Sequence, residues 1–590
     1  MATAAEQYRL WSQDPYFDAA TRAELAAIAG DPAAIEDRFY QMLAFGTGGL
    51  RGVIGAGTSR MNRYMVRLAT QALADCIRPL GEAAMARGVV IAHDSRRFSA
   101  EFAREAALTL AANGVVAWLW DGLRPTPMLS FAVRELGAVA GIVITASHNP
   151  PEYNGYKVYW EDGGQVPPDR AGAIQAAMRA IADIRTIRPL PEDEARARGL
   201  LRPVPAAVDE AYTQRLLSLA TAAPGQRAAL RILYSPLHGA GHRPVVTALE
   251  RAGFPVTVVA EQAQPDPDFP TVAKPNPEEP EVYEIALRYA TGLPGAGAGA
   301  APGPAAGAGS FDLIMATDPD ADRLGVLVRD RDGQYRMLTG NQLGAILTEH
   351  ILRSRKAAGT LPANGAVIKT IATSNLVAPL CREYGVTLLE THTGFKFIGD
   401  KIKEFEETGA HEFLFGFEES YGYLGATFVR DKDAVMAALL VADAAAHHRA
   451  EGRTLIDALE AIWQRCGYFQ EGLHNVTLPG RDGQARIAAL MAGLRSNPPE
   501  AFAGIPVAFR DDYATGTGVE PATGRTYALA LGRADVLHYR FADGGFVMVR
   551  PSGTEPKLKL YVSVVGPDEA SAVQLRDRVM ADALERMGLR

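Results

Sequence analysis

An alternation restricts this chain more than any other feature. From about residue 64 to 250, helix-like segments such as YMVRLATQALADCI and AEFAREAALTLAANG take turns with the short apolar runs GVVIAHD, VVAWLWDG and GIVITAS. Val- and Ile-rich runs with no polar face need cover on both sides, and intervening helices supply it around a largely parallel sheet. The pattern resumes in LRILYSP, FPVTVVA, FDLIMATD, GAVIKTIAT and HEFLFGFE, so more than one such sheet is expected. After the helix-like TLIDALEAIWQRC it changes. Beyond a boundary near Gly467 come a polar stretch, the strand-like YALALGR, VLHYRF, GFVMVR and KLKLYVSVV, and a last helix, which together read as a separate α+β domain.

With 590 residues, 48% of them hydrophobic, the chain can bury several cores. Its formal charge of −8 argues against nucleic acid or an anionic membrane as partner, since both demand a strongly basic surface. Cys76, Cys381 and Cys466 lie far apart with no CxxC spacing, which points to reduced thiols rather than a disulfide framework or a zinc site. The start, MATAAEQYRLWSQDPYF, lacks the basic and apolar regions of a secretory signal, and no window reaches the ~18 apolar residues of a membrane span. A soluble, cytoplasmic protein is expected. The Gly/Ala/Pro run at 292–310 is too poor in bulky side chains to pack a core and reads as a mobile surface insertion. Gly295, Gly297 and Ala300 satisfy a loose GxGxxA pattern there, but no strand precedes them and the match is accidental.

Four apolar runs end in chemistry. GIVITASHNPP stops on Ser147, held between Thr145, His148 and Asn149. One reading is a turn bonding its own backbone, and the other is a positioned nucleophile. In TDPDADRLG, Asp318, Asp320 and Asp322 recur at every second residue. Three carboxylates so crowded repel one another, and a hard divalent cation with oxygen ligands relieves them best, with Mg²⁺ the natural candidate. A solvated acidic turn is the bland alternative. An EF-hand is excluded, because Arg323 and Arg329 stand where that loop needs glycine and glutamate.

In FGFEESYGY, Glu418, Glu419 and Ser420 offer acceptors for sugar hydroxyls, or else form a solvated strand end. In VRPSGTEPKLKLY, the Arg550 fork, the Ser552 and Thr554 hydroxyls and the Gly553 backbone make a cradle for a phosphate dianion, with Lys557 and Lys559 raising the local potential; an ordinary turn between strands fits as well. Open α/β sheets bind ligands at the carboxyl ends of their strands, so four such loops could converge on one cleft.

These stretches, TASHNP, DPDADR, GFEESYG and RPSGTEPK, resemble in order the phosphoserine, metal, sugar and phosphate loops of the α-D-phosphohexomutase family, and GTGGLRG at 46–52 resembles its N-terminal element. The resemblance runs from about 40 to 565. It implies three related α/β domains with mixed, largely parallel sheets and a C-terminal α+β domain around a central cleft, divided at 1–205, 206–335, 336–465 and 466–590. It further implies that Ser147 carries a phosphoryl group and, with Asp318, Asp320 and Asp322, ligates Mg²⁺.

The implied reaction moves phosphate between positions 1 and 6 of a sugar through a bisphosphate, glucose 1,6-bisphosphate for a glucose substrate. Arg550, Ser552, Gly553, Thr554 and Lys557 would hold the substrate phosphate, and Glu418 and Ser420 the sugar. Arg51, Lys157, Arg323 and Lys396 would supply positive charge, and His148 and Lys396 would handle protons. Glucose 1-phosphate is the expected substrate, with mannose or ribose phosphates as rivals within the family, and a metal-dependent sugar phosphatase as the rival of another class. No GxSxG elbow supports a serine hydrolase. Small sugar phosphates are the expected partners of a monomer or homodimer.

Overall fold

A computed structural model describes residues 3–46, 49–292, 311–478, 481–551 and 557–589. Residues 293–310 of the Gly/Ala/Pro run, Thr47 and Gly48 of GTGGLRG, and Ser552, Gly553 and Thr554 lie outside the described residues. The chain divides into two compact units, one of Met1–Gly340, Phe395–Phe413 and Ser420–Thr454, the other of Asn341–Gly394, Leu414–Glu419 and Leu455–Arg590.

The first unit contains two α/β sheets. Six strands, β1 (Gly49–Val53), β2 (Val89–His93), β3 (Ala117–Leu119), β4 (Ala140–Ile144), β5 (Tyr153–Trp160) and β6 (Leu201–Pro203), are ordered β1-β5-β4-β2-β3-β6. β4, β2, β3 and β6 run parallel, β5 lies antiparallel beside β4, and β1 at the edge pairs antiparallel with β5. Every residue of β2 and β4 is buried, as expected of central strands covered on both faces. The helix Arg63–Ile77 starts at Asn62, whose Oδ1 accepts from the Tyr64 and Met65 amides, and it packs Ala69 and Leu73 into one core with Ile91, Ile142 and Val158. Three N-terminal helices bury Trp11, Phe17, Leu25 and Phe39 around Tyr64.

The second sheet comprises β7 (Ile232–Ser235), β8 (Val256–Val258), β9 (Leu313–Thr317), β10 (Leu324–Arg329) and β11 (Tyr335–Leu338), ordered β11-β10-β9-β7-β8. Its β7, β8 and β9 are parallel, and β10 returns antiparallel to β9. The acidic triplet therefore occupies the turn between two paired strands.

In the second unit, β12 (Gly365–Thr370) pairs in parallel with β13 (Thr387–Thr391) and lies beside β14 (Glu412–Glu418). The short strand β15 (Gly422–Leu424) falls in the first unit. Past Gly467 come β16 (Tyr468–Thr477), the small pair β17 (Ala501–Phe502) and β18 (Ile505–Pro506), then β19 (Phe509–Asp512), β20 (Thr517–Glu520), β21 (Arg525–Ala528), β22 (Leu537–Arg540), β23 (Phe546–Pro551) and β24 (Lys557–Gly566). Seven of these form an antiparallel sheet, β16-β24-β23-β22-β19-β20-β21. Val547, Val549, Leu558 and Val562 share its core with Ile487 and Val579 of two helices, the α+β architecture expected of the tail. All three cysteines are free; Cys381 is buried and the other two are half-buried.

Candidate active site

The serine loop begins where β4 ends. The Thr145 hydroxyl donates to Asp94 Oδ2 at 2.6 Å and accepts from the Ser147 amide at 2.8 Å, which turns the chain sharply. Ser147 consequently takes φ = 53°, a left-handed conformation that costs an L-residue roughly 1–2 kcal/mol. Its hydroxyl, in a residue only 3% exposed, donates to Asp318 Oδ2 at 2.7 Å and lies 3.1 Å from His148 Nδ1. The turn exists, and it directs the Ser147 hydroxyl to Asp318 of the acidic triplet.

Asp318, Asp320 and Asp322 are all buried, with one carboxylate oxygen from each within 4.8 Å of the others. Lys157 on β5 reaches Asp320 at 2.9 Å and Asp322 at 3.5 Å, while Lys432 reaches Asp322 at 3.0 Å. The Thr126 hydroxyl donates to Asp320 at 2.9 Å, and the amides of Asp322 and Arg323 donate to Asp318 Oδ1. Even so, Asp320 Oδ1 and Asp322 Oδ1 are buried without a hydrogen-bond partner. Burial, with the charges of Asp320 and Asp322 beside it, pushes the Asp318 carboxyl well above the usual range. Burial alone would raise Asp320 too, but Lys157 outweighs it and drives Asp320 below that range. The Lys157 ammonium titrates higher than usual in spite of its burial, because Asp320 and Asp322 flank it. Converging anionic oxygens, two of them lacking any proton donor, form a donor set that fits a hard divalent cation.

Glycine lets the backbones of this site approach one another. A Cβ on Gly239 would lie 2.4 Å from Pro319 Cα, in the segment where the Ala240 amide donates to Pro319 O at 2.7 Å. On Gly155 it would lie 2.4 Å from Thr145 O and 2.9 Å from Leu50 O, between β4 and β1.

The other candidates divide. Arg51 on β1 reaches the serine loop, donating to Asn149 Oδ1 at 3.3 Å. The half-buried His148 has its pKa lowered well below that of free imidazole by lost hydration and by the positive charges of Arg323 and Arg51. Arg323 donates to Glu278. Lys396 lies on the helix Phe395–Thr408, where burial lowers its pKa and the charge of Asp400 opposes that shift. Ser420 falls in the first unit, Glu418 ends β14 as a buried residue in the second, and Glu419 accepts from Thr370 and Thr373 at 3.2 and 3.0 Å. Arg550 ends β23 and Lys557 opens β24, whereas Ser552, Gly553 and Thr554 between them are outside the described residues.

Sequence reasoning missed Lys432, Glu278, Asp94 and Arg96. Their signals were present in RDKDA, NPEEPE and AHDSRR, where charges directly follow or interrupt apolar or proline-rich runs.

The sequence matches all four domains of one family, described as phosphoglucomutase/phosphomannomutase: alpha/beta/alpha domain I over residues 42–185, domain II over 210–333, domain III over 339–466 and the C-terminal domain over 474–581. The chain belongs to the phosphoglucomutase/phosphomannomutase family. A phosphoglucomutase of Staphylococcus aureus strain MRSA252 is 35% identical over 538 residues, covering 90% of this chain and 92% of that protein. Another from Staphylococcus epidermidis is 36% identical over 524 residues, covering 88% of this chain and 90% of that protein. Among solved structures, the phosphoglucomutase parafusin of Paramecium shares the fold with a TM-score of 0.66 at 17% identity, over 93% of this chain and 96% of that one. A family protein from Burkholderia thailandensis does so at 0.64 and 20%, over 92% and 97%. Family membership accords with a phosphosugar mutase built from three α/β domains and one α+β domain, and no helix among the described residues is long and apolar enough to cross a membrane.

Proposed function

We propose that this chain interconverts α-D-glucose 1-phosphate and glucose 6-phosphate, with Ser147 as phosphoryl carrier and glucose 1,6-bisphosphate as the intermediate. The observation that carries the reading is the Ser147 hydroxyl, held on a left-handed turn 2.7 Å from a buried carboxylate triplet. Asp318, Asp320, Asp322 and Ser147 would hold Mg²⁺, which when bound neutralises phosphoryl charge and polarises phosphorus.

The chain's own groups do the rest. The free hydroxyl of the sugar phosphate attacks the phosphorus of phosphoserine, its O–P bond forms as the Ser147 Oγ–P bond breaks, and its proton passes to a base. Lys396, with its lowered pKa, is the candidate base, and Lys432, paired with Asp322, adds positive charge beside the triplet. His148, a neutral imidazole 3.1 Å from Ser147 Oγ, is placed to steady that oxygen as it leaves. Lys157, Arg51 and Arg323 balance charge through the transfer, which depends mainly on positioning and electrostatics. Glu418 and Ser420 would read the sugar, while Arg550, Ser552, Gly553, Thr554 and Lys557 would grip its second phosphate. After the bisphosphate turns end for end, the other phosphoryl group returns to Ser147. Domain limits at 1–205, 206–335, 336–465 and 466–590 belong to the same proposal.

Mass analysis of the peptide containing Ser147, before and after incubation with glucose 1,6-bisphosphate, tests the carrier. Turnover on glucose, mannose and ribose 1-phosphates tests the substrate. A gain of one phosphoryl group, loss of turnover in Ser147→Ala and preference for glucose are expected. Normal isomerisation by Ser147→Ala would overturn the mechanism, and a strong ribose preference would overturn the substrate.

A further inference from the structure

Arg96 follows β2 in a turn, and its side chain is wholly removed from solvent. A guanidinium presents five N–H donors and no acceptor, so burial on this scale demands partners for each. Nη1 donates to the carbonyls of Pro150 at 2.8 Å and Tyr153 at 3.1 Å, and Nη2 donates to those of Ser147 and Asn149. Nε ion-pairs with Asp94 Oδ2 at 3.3 Å but makes no hydrogen bond, so the four Nη donors carry the anchoring. Two nitrogens of one planar group are thus spent on four carbonyls, three in the loop joining β4 to β5 that carries Ser147 and one on the first residue of β5.

Asp94 secures the other side of the turn. It accepts from the Thr145 hydroxyl at 2.6 Å, the Ser99 hydroxyl at 2.7 Å and the Arg96 amide at 2.9 Å. The Asp94–Arg96 pair therefore grips the chain both before Ser147 and after it. A segment near the second sheet closes over the pair: the Phe269 ring lies 5.0 Å from Arg96 Cζ, and Asp268 pairs with Arg97. His238 ties that segment down, with Nδ1 3.1 Å from Gln264 O and Nε2 2.8 Å from Thr271 Oγ1.

We propose that Arg96 is a positioning residue, which by gathering these four carbonyls holds Ser147 in its left-handed conformation and so aims its oxygen, and that Phe269 locks Arg96 in place. The proposal rests on the reading of Ser147 as the phosphoryl carrier. Lysine keeps the charge but offers three donors from one point, and cannot span carbonyls from 147 to 153. Displacing a reacting atom by about 1 Å costs on the order of 10²-fold in rate.

The test is Arg96→Lys in the full-length enzyme, with melting temperature as the control for folding. The expected result is a kcat lowered at least 30-fold, a KM for glucose 1-phosphate within threefold of the parent, and a crystal structure in which Ser147 leaves positive φ. A kcat within threefold of the parent, a raised KM at unchanged kcat, or an unmoved Ser147 would each overturn the proposal. The crystallographic arm needs no turnover, so failure of the mutase reading and failure of this inference are told apart. Should Arg96→Lys not fold, Phe269→Leu carries the test, with kcat down about three- to tenfold at constant KM if Arg96 needs its lock; an unchanged kcat would overturn the proposal.

Discussion

Replacing Asp318 by Asn isolates what the acidic triplet is for. Oxygens no more than 4.8 Å apart at an effective dielectric near 20 repel by at least about 3.5 kcal/mol per charged pair, so ionising Asp318 beside Asp320 and Asp322 costs at least about 7 kcal/mol in repulsion. Lys157 ion-pairs with Asp320 and Asp322, and Lys432 with Asp322. Burial and this repulsion push the Asp318 carboxyl well above the usual range, which favours its protonated form when no metal is bound. Asn copies the shape of that protonated acid, so Asp318→Asn should change metal-free stability by no more than about 1 kcal/mol, the worth of one hydrogen bond to Ser147. Metal binding is another matter, since it must expel the proton and use the charge. In thermal melts with EDTA, variant and parent should coincide. With Mg²⁺ at a hundredfold its Kd, the parent should gain about 2.7 kcal/mol and the variant nothing, while turnover falls by at least about 10³. A variant that is badly destabilised without metal, yet still stabilised by Mg²⁺, would show that the triplet is a structural turn and that this reasoning is wrong.

Two further predictions follow from positions outside the reacting groups. Gly239→Ala drives a methyl group against Pro319 Cα at 2.4 Å, so the metal loop must shift; a loss of about 1–3 kcal/mol in stability and weaker Mg²⁺ binding by calorimetry are expected, and unchanged binding would contradict the close-approach argument. His538 on β22 is buried against Phe546, and lost hydration lowers its pKa to about 3. The unfolded chain, with an imidazole near 6.5, binds this proton first as pH falls. Stability contributed by His538 is therefore complete above pH 6.5 and drains away towards pH 3, by up to about 4 kcal/mol. His538→Phe should flatten the acid limb of denaturant-derived stability against pH, and an unaltered limb would refute the assignment.

The parts of the site legible in the sequence are those in which chemistry sits next to a strand that announces itself. β4 and β9 are runs of buried aliphatic residues, and the Ser147 turn and the triplet begin within three residues of their ends. Arg96 illustrates why the rest was hidden. An arginine after an apolar run is usually a solvated surface charge; only the tertiary fold reveals that carbonyls 51 to 57 residues away take up its donors. Lys432 was obscured in the same way, because its partner Asp322 lies more than a hundred positions earlier. Lys396 was legible as the lysine of THTGFKFIG, whereas the burial that lowers its pKa, with Asp400 beside it, belongs to the folded chain.

Charge explains why the lysines and the triplet belong together. Three carboxylates and two ammonium groups leave a formal charge of −1, an imbalance that the upward pKa shift of Asp318 eases by favouring uptake of one proton. A phosphoryl group on Ser147 would add roughly −1.5 to −2, more than one proton can offset and close to what a dication supplies. Phosphorylation and metal binding then favour each other by the same free energy in either order. An acidic turn serving structure alone would need neither the lysines nor the strained serine, and the fold holds both at a cost in desolvation and backbone strain.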